Sequence, residues 1–269
     1  MIDELYFKDD GKVNITAASV GISKRRWVCA TDADIETENY IPIMQKNRFD
    51  LIPIVSNTEI KEYFITSNPN DFSNIERHKI TFSDTLELTT NIRTVIDNFC
   101  SEKRTFYFLT FQKEIAGLIT IGNLNCRQVQ IYIFQRLCDL ERSLGEFLLD
   151  SLKQKEIIDW IEQKVNPENE NDKYKGILEL YNELLSLDLE NTITEHFYFV
   201  DFFNIFNELK LFEKLGLTKK DWKKFNSINE IRKRIAHPTR SLIDNDNTID
   251  KLSSRLKKMD ELIFALHNN

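Results

Sequence analysis

The chain has 269 residues, 41% of them hydrophobic and 29% charged, a length that suits two domains and a composition that excludes wholesale disorder. Its 43 acidic and 36 basic residues leave a net charge of −7, so the chain as a whole is repelled by phosphate backbones and anionic membranes. Any nucleic-acid contact has to be local.

The N-terminus, MIDELYFKDDGK, is acidic and lacks an apolar signal core, and no run comes near the roughly 18 apolar residues that span a bilayer; a cytoplasmic protein without membrane contact is expected. Nineteen Phe and eight Tyr beside seven Gly supply large packing surfaces but few positions for close backbone approach to a pyrophosphate, which argues against glycine-rich nucleotide folds. Cys29, Cys100, Cys126 and Cys138 form no C-x₂-C pair and read as buried, reduced thiols. Arg26–Ala30 and Leu51–Val55 are short β-rich runs, with Thr37–Arg48 spaced like a helix between them, and Glu59–Thr66 is a third strand. The order recurs: Thr85–Thr90 is a short run, Ile92–Ser101 is helical, and Thr105–Phe111 and Ile115–Ile121 are strands. An internal repeat of roughly 50–60 residues follows.

The two hairpins align best. Residues 50–66 (DLIPIVSNTEIKEYFIT) sit over residues 105–120 (TFYFLTFQKEIAGLIT), each an apolar strand, a polar turn ending in Glu-Ile, and a strand closing on Ile-Thr. This resembles a tandem pair of CBS domains, whose half-repeat is β-α-β-β-α with the signature Gly-apolar-apolar-Thr-x-x-Asp. The second copy keeps Gly117-Leu118-Ile119-Thr120, with Asn123 where the acid is usual; the first reads Tyr63-Phe64-Ile65-Thr66 and has Pro69 there. The resemblance covers about residues 10–145. It implies an α+β sensing or dimerising domain and an adenosine nucleotide as regulatory ligand, with Thr120 and Asn123 at the matching positions; the first copy lacks the residues of a standard site.

From Val129 to Lys164 the apolar spacing is helical, as one long helix or two joined at Gly145. Asn166–Asp172 carries Pro167 and reads as a turn. Further helices are expected over Lys173–Leu187, Thr194–Leu215, Lys219–Ile235 and Thr248–Leu266, with Gly216 closing the second and Thr218 with Asp221 opening the third as a capping box.

Between Lys219 and Arg240 stand eight basic residues (Lys219, Lys220, Lys223, Lys224, Arg232, Lys233, Arg234, Arg240) and two acidic ones, a local excess of +6. Such a run is often only a solvated helix face. Here Ile228, Ile231 and Ile235 form an apolar stripe that turns Arg232 and Lys233 outward, and Pro238 stops the helix at His237. An Arg to hold phosphate oxygens and a His to move a proton suffice for phosphodiester chemistry.

The segment resembles the HEPN superfamily of all-helical domains, whose motif is Arg, four to six residues, then His, commonly Leu-Arg-Asn-x-x-Ala-His-Pro. Arg232 and His237 match it, as do Ile231, Ala236 and Pro238, while Lys233 departs from the usual Asn. The resemblance implies a homodimer that brings two Arg–His pairs together to cut RNA by internal 2′-OH attack, leaving a 2′,3′-cyclic phosphate and needing no cofactor, in the manner of toxins and phage-defence effectors. Other members bind nucleotides or partners without cleaving.

Gly117 and Gly122 frame four residues, but Asn123-Leu124 follow where a phosphate loop needs Lys and Ser or Thr. His78, His196 and His267 lack ligand-spaced thiols or carboxylates, so no metal is expected, and the aromatic run around His196 reads as bundle core. The expectation is therefore an α+β CBS-like domain over 1–145 followed by an all-α HEPN-like bundle over 146–269. Arg232 and His237 are the catalytic candidates; Lys223, Lys224, Lys233, Arg234 and Arg240 are the RNA-binding ones. A non-catalytic, dimeric module that senses nucleotide or binds RNA or protein is the alternative.

Overall fold

A computed structural model describes residues 14–68, 71–169, 171–189, 191–237 and 239–268. They form two compact units divided after Val129. The first opens with a short helix α1 (Ala17–Val20) and strands β1 (Ile22–Ser23) and β2 (Ala30–Thr31), then helices α2 (Asp32–Glu36) and α3 (Tyr40–Asn47). Strands β3 (Leu51–Ser56), β4 (Glu59–Asn68) and β5 (Asp71–Lys79) follow, then a 3-10 turn (Phe82–Asp84), β6 (Thr85–Glu87), α4 (Ile92–Glu102), β7 (Phe106–Phe111) and β8 (Glu114–Thr120).

Two four-stranded sheets result, in the orders β2-β3-β4-β5 and β1-β8-β7-β6. The repeat is visible in the backbone. Both hairpins have two positive-φ residues at the turn, Asn57-Thr58 (49° and 69°) and Gln112-Lys113 (50° and 70°), 55 positions apart. Each hairpin shifts register at the matching place, Ile54/Val55 in one and Leu109/Thr110 in the other. The helix before each hairpin ends on a left-handed residue, Arg48 or Lys103, again 55 positions apart.

Strict alternation is lost on the central strands because both of their faces are covered. On β3, Ile52 and Ile54 join Met44 and Phe64 in one core. Leu51 turns the other way, into a second core with Tyr63, Phe106, Phe108 and Leu118 from both hairpins. Tyr63 packs against Phe106 and Phe108 with ring centroids 5.3 and 5.5 Å apart.

The expected strand at Arg26–Ala30 shrinks to Ala30–Thr31, since Arg25 and Arg26 are exposed and the chain there turns. Strand β5 was not expected: its residues, DFSNIERHK, are almost all exposed, so no apolar alternation announces it. It takes the place of the helix a β-α-β-β-α half-repeat would put after β4. The four cysteines form no disulfide among the described residues and are half-buried rather than buried.

The second unit is helical: α5 (Arg127–Ser151), α6 (Gln154–Glu162), α7 (Lys173–Ser186), α8 (Phe199–Glu208), α9 (Lys219–Lys224), α10 (Ile228–Ile235) and α11 (Ile249–His267). Helix α5 continues through Gly145, whose missing side chain admits the Thr194 hydroxyl at 3.3 Å from where a Cβ would stand. The expected helix over Thr194–Leu215 is broken into a 3-10 turn (Ile193–His196), α8 and a second 3-10 turn (Leu211–Glu213), with Lys210 left-handed between the last two. The aromatic run does form core: Phe199, Phe202, Phe203 and Phe206 are buried, and Trp222 stacks on Phe206 at 4.9 Å. Among the described residues, no helix is long and apolar enough to cross a membrane.

Candidate functional site

Helix α10 positions the Arg–His pair. A 3-10 turn (Phe225–Ser227) leads into it, and Ile228 and Ile231 anchor one face in the core. Arg232 therefore projects from the neighbouring face, half-buried, and His237 stands just past the helix end, exposed. The Ala236 amide closes the last turn on the Arg232 carbonyl at 2.9 Å, and the His237 amide donates to the Arg234 carbonyl at 3.2 Å. The Arg240 amide then donates back to the His237 carbonyl at 2.8 Å, so the imidazole sits on a tight turn. Pro238 lies outside the described residues.

The Arg232 guanidinium lies 6.0 Å from the centroid of the Phe199 ring and 3.7 Å from the carboxylate of Glu141 on α5. Burial raises the Glu141 pKa, and the neighbouring Arg232 charge only partly offsets this. Glu141 is the residue that sequence reasoning missed. Between Leu140 and Arg142 it is indistinguishable from a solvated helix charge, and only the fold brings it to Arg232.

The basic run is less free than its count suggests. Lys224 pairs with Asp221 at 2.6 Å and Lys233 with Glu230 at 2.8 Å, each within its own helix. Arg234 donates to the Ser241 carbonyl and the Asp244 carboxylate, both at 2.5 Å, and so pins the loop after His237. The hydrogen bond from Arg234 holds the Asp244 carboxyl down at about 2. Lys219, Lys220, Lys223 and Arg240 are exposed, without an ion pair among the described residues. Thr218 caps α9 as the sequence predicts, accepting from the Asp221 amide at 3.2 Å.

In the first unit, Thr120 and Asn123 hold each other. The Thr120 amide (2.7 Å) and hydroxyl (3.0 Å) both donate to the Asn123 side-chain oxygen, capping the 3-10 turn Ile121–Asn125. The Asn123 side-chain oxygen is thereby committed to its own turn. The matching residue of the first copy, Thr66, is 4% exposed and donates to the carbonyls of Asn68 and Asp71, because the chain runs on into β5. Pro69 lies outside the described residues.

Among the described residues, no group of three or more His, Cys, Asp or Glu is placed to hold a metal ion. Ser143 and His267 meet at 2.9 Å, but the Ser143 hydroxyl also lies 2.9 Å from the Asp139 carbonyl one helical turn back, where it donates.

No protein-family model matches the chain, and no curated protein matches it. Among solved structures, it is similar over 41% of its length to a hemolysin-like protein containing a CBS domain from Oenococcus oeni PSU, at 11% identity and a TM-score of 0.31 over 88% of that chain. It is likewise similar over 39% of its length to the CBS domains of a transcriptional regulator from Streptococcus pneumoniae, at 16% identity and a TM-score of 0.32 over 92% of that chain.

Proposed function

We propose that the helical unit is a HEPN-type endoribonuclease and that the α/β unit is a CBS-type module controlling it. The observation that carries the reading is the placement of Arg232 and His237 on one short helix and the turn that ends it, both reaching solvent, with Arg232 beside the Glu141 carboxylate. Arg232 would hold the non-bridging oxygens of a phosphodiester. His237 would take the proton of the ribose 2′-OH as that oxygen attacks phosphorus, and the second copy's imidazole would protonate the departing 5′-oxygen. The products are a 2′,3′-cyclic phosphate and a 5′-hydroxyl. One Arg and one His per chain make half of such a site, so a homodimer is the working form.

The 55-residue repeat, with matched turns and matched register shifts, supports the CBS-type reading of the first unit. The Thr120–Asn123 turn is its adenosine-nucleotide contact. A nucleotide there changes cleavage only by binding two arrangements of the protein unequally.

The test is purified protein with mixed RNA in EDTA, compared with His237→Ala and Arg232→Ala. Cleavage by the wild type, lost in both variants, supports the enzyme. One observation favours a second reading: Arg232 is already engaged by Glu141, as in a binding surface that never receives a scissile phosphate. RNA binding that survives His237→Ala, with no cut product from the wild type, selects that non-catalytic module.

A further inference from the structure

The largest of the cavities described lies wholly within the first unit. It measures about 1100 Å³ and follows the free edge of β6, between the polar face of α4 and the turn that precedes β6. Thr120 and Asn123 do not line it. That volume matches the upper range of small-molecule sites.

Phe82 stands at its rim, 95% exposed. A ring left in water usually belongs to a loose loop, but this turn is fixed. The Thr81 amide and hydroxyl donate to the Asp84 carboxylate at 2.8 and 2.6 Å, and the Thr85 hydroxyl donates to the Phe82 carbonyl at 2.8 Å. Asp84 itself is 7% exposed and pairs with Arg104 at 2.6 Å. A half-buried ion pair thus holds an aromatic face out to solvent.

Tyr107 contributes to the cavity wall. It is 1% exposed, and its hydroxyl has the Glu102 carboxylate as a nearby hydrogen-bond acceptor, off ideal geometry; burial first, then that contact, pushes its pKa up. Buried hydroxyls are ordinarily satisfied. The charges around the cavity cancel: Lys61 and Lys113 stand against Glu87 and Glu102. Lys61 is already paired with Glu59, and Glu102 with Arg104 at 3.2 Å. Nothing in that lining gathers cations for a phosphate.

We infer that this cavity binds an uncharged molecule carrying a planar ring, which stacks on Phe82. It is a site separate from the nucleotide-contacting turn and stands whether or not the RNA-cleaving reading does. The probe is quinoxaline, neutral at pH 7 with two acceptor nitrogens, followed by saturation-transfer NMR on the full chain. Its anionic counterpart, quinoxaline-2-carboxylate, and adenosine monophosphate serve as competitors.

Quinoxaline should receive saturation from the wild type and lose at least fivefold of that signal with Phe82→Ala, whose Tm should not move because the ring is exposed. The carboxylate should bind no better, and adenosine monophosphate should leave the signal in place. Absence of transfer, an unchanged signal in Phe82→Ala, tighter binding of the carboxylate or displacement by the nucleotide would each overturn the inference.

Discussion

Asp84 shows how a single side chain can set the response of the fold to acid. Burial raises its pKa, but hydrogen bonds from Thr81 and Arg104 and the Arg104 charge outweigh that and leave it depressed. A carboxyl whose folded pKa lies below its unfolded value of about 3.9 contributes stability above that pH and loses it as pH falls through the folded value. The half-buried Asp221 and the exposed Asp244, held at about 2 by Lys224 and Arg234, act in the same direction. Tm should therefore drop between about pH 4 and pH 2, and Asp84→Asn should flatten that drop while lowering Tm at pH 7; thermal melts across this range check both. Gly117 belongs to the same scale. A Cβ there would lie 2.6 Å from the Ile22 carbonyl oxygen, which is backbone and cannot swing aside. Gly117→Ala should cost about 1–3 kcal/mol in urea unfolding, as overpacking does. Arg232 and His237 can be singled out in the sequence because they lie five positions apart in one segment. Glu141 was not, since nothing in a lone helical glutamate reports which guanidinium will fold against it.

Among the elements, the hairpins were the most legible, because their first strands, β3 and β7, are apolar on both faces and their turns are polar. The same turns hold a correctable strain. Thr58 is β-branched at φ 69°, a conformation that favours glycine. Thr58→Gly should stabilise the chain by about 1 kcal/mol, with Lys113→Gly a smaller gain in the second copy, both read from denaturant midpoints. Strand β5 escaped notice since backbone pairing with β4, rather than side-chain burial, defines it; Arg77 there pairs with Glu62 across the ladder. In the helical unit, tertiary demands overrode periodicity at Lys210, where an αL residue splits a run that reads as one helix. Helix α10 depends on Ile231, 2% exposed. Ile231→Ala should cost about 2–5 kcal/mol and loosen the Arg232 presentation, so unfolding midpoint and RNA affinity should fall together.

For the molecule as a whole, the division into a duplicated α/β unit and a helical unit was readable from where strand spacing gives way to helical spacing. What either unit binds was not, since ligands are met by side chains drawn from distant segments. Electrostatics supply a check at this scale. With Lys219, Lys220, Lys223 and Arg240 the unpaired cations of the basic segment among the described residues, RNA binding there should fall with salt along a log–log slope of about −3, from about −0.7 per single-strand phosphate contact. Filter binding from low to moderate salt measures it, and a flat response would place RNA elsewhere. A composite site further requires that specific cleavage activity rise with protein concentration below the dimer dissociation constant.

The duplication has a consequence for stoichiometry. The two hairpins share their turns and their irregularities, yet one leads into a hydrogen-bonded Thr–Asn cap and the other into an extra strand that consumes its threonine. The pseudo-symmetry is thereby broken at the turn proposed above as the nucleotide contact, and on that proposal a calorimetric titration should saturate at one equivalent per chain, not two.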